Sequence, residues 1–74
     1  MRTPQEDRLA AYAHEAWSRW MEHLFSTAVT TTEGDVVLPA VYVQRWQRQM
    51  RTPYAALSTS EQASDLAEAR RILA

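Results

Sequence analysis

The sequence predicts an all-α fold, a small three-helix domain with an irregular loop or short hairpin between helices 1 and 2. Three observations carry this. Apolar residues recur at helical spacing in three stretches, Thr3-Pro4-Gln5-Glu6 and Ser58-Thr59-Ser60-Glu61 both have the form of a helix start, and the one glycine lies in a β-branched stretch after the first helix. The 74 residues suffice for one domain, 1–74.

The first helix starts at Thr3, whose spacing to Glu6 is that of a capping box, with Pro4 at the first helical position, where a missing N–H costs nothing. It runs to about Ser26 without an internal Gly or Pro. At about 100° per residue, Leu9, Ala13, Ala16, Trp17, Trp20, Met21 and Leu24 share an arc of roughly 140°, opposite Glu15, Ser18, Arg19 and Glu22. So wide an arc suits a helix that touches two partners.

Thr27 to Leu38 breaks the pattern. Thr30-Thr31-Thr32 forms helix poorly, and Glu33-Gly34-Asp35 is a turn followed by Val36 and Val37, as a short hairpin requires. Pro39 opens a second helix to about Arg51, with Tyr42, Val43, Trp46 and Met50 as its apolar stripe and Gln44, Gln47 and Arg48 on its wet side. Thr52 precedes Pro53 and is pushed out of the helical region. The third helix then runs to the C-terminus, with Ala63, Leu66, Ala69, Ile72 and Leu73 expected to face inward.

Composition narrows the function classes. With no cysteine, disulfides and thiolate metal sites are excluded, and stability must come from large apolar side chains and self-association. A domain this small buries only about 60–65% of its unfolded surface. It has three Trp, three Tyr and one Phe to hide, so part of the aromatic surface is expected to face a ligand or a second copy, and a homo-oligomer is expected. A net charge of −1 with interspersed signs draws the chain to neither nucleic acid nor membrane. Met1 to Asp7 lacks the apolar core of a leader, and no apolar run approaches the ~20 residues that span a bilayer, so a cytoplasmic location is the expectation.

Catalytic signatures are sparse. His14-Glu15 begins the zinc motif His-Glu-x-x-His, but position 18 is Ser18, and His14 and His23 point about 180° apart on one helix. There is no Gly-x-Ser-x-Gly elbow and no glycine-rich phosphate loop. No enzyme, cofactor or metal is expected. Arg45, Arg48 and Arg51, spaced by three beside Trp46, form a basic edge. They either hold a phosphate-bearing ligand with an aromatic stacked on its base, or form a solvated face paired with the acids of the third helix.

Two stretches resemble the RyR domain, the repeat module of ryanodine receptors that also occurs in bacteria and phages. Ala13-His14-Glu15-Ala16-Trp17 is similar to the family's early His-Glu-x-Trp helix. Thr52-Pro53-Tyr54-Ala55-Ala56-Leu57, followed by Glu61 and Asp65, is similar to its Pro-Tyr-x-x-Leu-x-x-x-Glu run. With the Arg45-to-Met50 helix, the likeness covers about two-thirds of the chain and is greatest to short phage proteins of this type. The family's Gly-Trp-x-Tyr-Gly segment is absent, so no contact is carried over from that region.

The resemblance implies a binding module: a phage-type protein that sequesters a nucleotide-derived signalling molecule to counter host defence. The expected site comprises Trp17, Trp20 and Met21, then Arg45 and Arg48, and Thr52, Tyr54 and Asp65 from the second motif. The alternatives are a module that docks on a host or phage protein and a small DNA-binding regulator using the second helix.

Overall fold

The computed structural model describes residues 1–74 and is mostly helical, with one small sheet. In chain order it holds α1 (Pro4–Thr27), β1 (Val29–Thr30), β2 (Val36–Val37), α2 (Ala40–Arg51), a 3-10 turn at Tyr54–Ala56, and α3 (Thr59–Leu73). No helix is long and apolar enough to cross a membrane.

Each boundary has a local cause. The Thr3 hydroxyl accepts the Glu6 N–H at 3.1 Å and donates to the Glu6 carboxylate at 3.2 Å, so half of the expected capping box forms. At the far end the Ser26 and Thr27 hydroxyls donate to the carbonyls of His23 and Leu24, and the Leu24 carbonyl also takes the Ala28 N–H at 3.1 Å. The hairpin then forms, with Val29 opposite Val37 and Thr30 opposite Val36. Its tip closes where the Gly34 N–H reaches the Thr31 carbonyl at 3.1 Å, and Gly34 adopts φ +94°, which only glycine reaches without strain.

Helix α2 has no side-chain cap; the N–H groups of Tyr42 and Val43 donate to the Pro39 carbonyl instead. Thr52 ends it in extended backbone, as the following proline demands. The 3-10 turn is an addition to the sequence expectation. It is tied down by Gln62, whose amide donates to the carbonyls of Tyr54 and Ala55 at 3.0 and 3.3 Å. Both halves of the Ser58–Glu61 capping box are present at the start of α3.

The 24 residues of α1 span about 36 Å and the 12 of α2 about 18 Å, so α2 flanks only part of α1. Trp20 meets Trp46 edge to face at 5.2 Å, joining the C-terminal half of α1 to α2. Leu9 and Trp17, further toward the N-terminus on the same arc, stay 57% and 58% exposed. Helix α3 crosses α1 at Glu68, which takes hydrogen bonds from Tyr12 and Arg19.

The apolar face of α3 does not point inward as its periodicity predicts. Its half-buried residues are Glu61, Gln62, Ala67 and Glu68, while Ala63, Leu66, Ala69, Ile72 and Leu73 are exposed. The helix turns its charged side to the rest of the chain because Glu61 and Glu68 find guanidinium partners there. No residue of the chain is buried. The Cα radius of gyration is 15.6 Å, against about 11 Å for a compact chain of this length.

Candidate functional site

The three helices converge on one cleft of about 990 Å³. Each contributes residues about one turn apart: Ala16, Arg19, Trp20 and His23 from α1; Arg45, Trp46 and Gln49 from α2; and Glu61, Ser64, Asp65, Glu68 and Arg71 from α3, with Ser58 and Ser60 at its start.

One wall is aromatic. The His23 ring stacks on Trp20 at 5.5 Å and tilts against Trp46 at 6.2 Å, and Tyr42 backs Trp46 from the far side at 5.7 Å. Three flat rings from two helices thus meet at the cleft. The spacing that makes α1 amphipathic places Ala16, Trp20 and His23 on one line.

The opposite wall is charged. The Glu68 carboxylate collects Tyr12, Arg19 and Arg71, and these donors, the Tyr12 hydroxyl first and Arg19 second, hold its acid down to about 2. The same bond pushes the Tyr12 hydroxyl up, since losing its proton would set a phenolate against a carboxylate. Glu61 is likewise held below the usual carboxylate range, by Arg48 first and by the Ser58 N–H second. Arg19 spends a terminal nitrogen on Glu68, and its Nε is the one buried side-chain nitrogen or oxygen with no hydrogen-bond partner.

These pairings leave the arginines unequal. Arg48 is committed to Glu61, and Arg19 and Arg71 share Glu68. Arg45 has no carboxylate partner; its guanidinium lies over the Tyr42 ring at 5.6 Å and reaches the cleft rim. Asp65 lines the cleft without an ion pair. The cleft therefore offers a planar apolar surface, a free guanidinium and a free carboxylate acceptor.

Of the residues expected from sequence, Trp20, Arg45 and Asp65 line this cleft. Trp17 lies elsewhere on α1, stacked on His14 at 6.0 Å, and Met21 is half-buried outside the lining. Arg48 acts on the cleft only through Glu61. Thr52 donates back to the Arg48 carbonyl at 2.6 Å, and Tyr54 sits in the 3-10 turn, 47% exposed. His23, Arg19, Glu68 and Arg71 join the cleft beyond the residues expected from sequence; His23 lies one turn from Trp20 on the helix face, a spacing the sequence shows. Trp46 was expected as the aromatic beside the arginines and stands in the wall. Compared with protein-family models, with curated proteins and with solved structures, the chain matches none.

Proposed function

We propose that this chain is a non-catalytic binding module that sequesters a nucleotide-derived signalling molecule, the role by which a phage-type protein would counter host defence. The observation that carries it is the aromatic wall of Trp20, Trp46 and His23 facing a cleft with the free Arg45 guanidinium on its rim. A base stacks on an indole through its π-face, a phosphate takes the paired donors of a guanidinium, and a carboxylate such as Asp65 accepts from a ribose hydroxyl or an exocyclic amine. A volume of about 990 Å³ falls within the range of small-molecule sites. The resemblance of the His14-Glu15 and Pro53-Tyr54 segments to the RyR domain supports a binding role for the whole.

The test is calorimetry with cyclic di- and trinucleotides and ADP-ribose derivatives at micromolar protein. A saturable heat with one of them, lost in Arg45→Ala and Trp46→Ala, is expected. Absence of heat across the set sinks the proposal. The rival, docking on a host protein, draws support from the exposed apolar surface of α3 and predicts a stoichiometric protein partner from host lysate instead.

A further inference from the structure

We infer that the outward face of α3 and the uncovered N-terminal half of α1 are seated against a second copy of this chain, and that the protein is an obligate self-assembly. This inference does not depend on what fills the cleft.

The surface area carries it. The chain exposes 6308 Å², whereas a compact folded chain of 8.5 kDa exposes about 4,650 Å². The excess of roughly 1,650 Å² per chain, cleft walls included, sets an upper bound of about 3,300 Å² for a pair, a size that obligate homodimers reach. A chain with no buried residue and no disulfide has no core of its own to hold it folded.

The chemistry of the uncovered faces fits another helix. On α3, Leu66, Ala69 and Leu73 repeat at three and four residues, the spacing of a helix–helix seam, on the side turned away from Glu61 and Glu68. Leu66 is 42% and Leu73 84% exposed. On α1, Leu9 and Trp17 continue the arc that Trp20 closes against α2, and they stay 57% and 58% exposed. A second copy supplies the same two faces, and it is present wherever the first is. A net charge of −1 sets up no repulsion between copies.

Sedimentation equilibrium of the purified chain without added ligand, from about 1 to 100 μM, tests it. The expected mass is that of two or more copies, with a melting temperature that rises with concentration. A mass of 8.5 kDa throughout, folded or unfolded, overturns the inference. The paired substitution Leu66→Glu with Leu73→Glu is expected to abolish association, whether the released chain stays helical or unfolds. Val41→Glu, at a residue 58% exposed on the side of α2 away from Trp46, is expected to leave the mass unchanged. Unaltered mass in the paired variant, or equal loss in Val41→Glu, also overturns it. Failure of the calorimetry leaves these masses unmoved, so the two proposals fail separately.

Discussion

Trp20 and Trp46 meet with ring centroids 5.2 Å apart and planes at 69°, the edge-to-face arrangement in which the positive rim of one indole points at the negative face of the other. They lie on different helices and hold α1 to α2. The expected consequence is a coupling energy of about 0.5–1.5 kcal/mol between Trp20→Leu and Trp46→Leu in a double-mutant cycle followed by denaturant unfolding. Additive losses would mean that the rings do not hold the helices together.

Arg45 and Arg48 are expected to separate binding from stability. Arg45→Ala removes the uncommitted guanidinium and should weaken an anionic ligand by a factor corresponding to about 1.5–3 kcal/mol, with unfolding free energy within about 0.5 kcal/mol of the parent. Arg48→Ala removes the partner of Glu61. It should lower stability, because the Glu61 carboxylate, only 12% exposed, loses its guanidinium, and should change affinity less than Arg45→Ala does. Calorimetry and thermal melting on both variants check the pair.

Glu68 sets the acid limit of the helix arrangement. Its carboxyl titrates at about 2 in the folded chain, below its ordinary value of 4.5. The stabilisation is thus complete above pH 4.5 and drains away as the pH falls toward 2. Tyr12 acts in the opposite sense: its hydroxyl is raised above 10.0, so its contribution is intact below that pH and is lost as the pH climbs through the raised value. Glu68→Gln should flatten the acid edge, and Tyr12→Phe should return the Glu68 carboxyl toward its ordinary range, both measured by NMR titration and helical circular dichroism.

Ser58 caps α3 with its hydroxyl while Glu61 returns the bond to the Ser58 N–H. Ser58→Ala should cost about 0.5–2 kcal/mol and Ser58→Gly only about a few tenths of a kcal/mol. Hydrogen exchange should speed at Ser60 and Glu61 before it does at Arg70.

How much of this was legible in the sequence depends on distance along the chain. The helix starts, the Gly34 turn and the stop at Pro53 are set by neighbours within four residues, and each lies close to its expected place. The orientation of α3 is set by Glu68 meeting Tyr12 and Arg19, 56 and 49 residues away, and by Glu61 meeting Arg48, 13 away. Periodicity alone points Leu66 and Leu73 inward, and only those distant partners reverse it. The site divides the same way: Trp20 and Arg45 were legible as an aromatic and a cation on helix faces, and Arg71 lies at helix spacing from Glu68, whereas Arg19 joins the cleft through that carboxylate from 49 residues away.

The three tryptophans have different surroundings, and this gives the protein three built-in optical reporters. Trp17 stands at 58% exposure with the His14 ring stacked on it, while Trp20 and Trp46 share His23 at the cleft. Emission from Trp17 should shift to the blue when a second chain dries the α1 face. That from Trp20 and Trp46 should be quenched or enhanced when something flat slides between them and Arg45. Trp17→Phe, which leaves the Trp20–Trp46 contact in place, would then isolate the signal of occupancy from that of assembly without an added label.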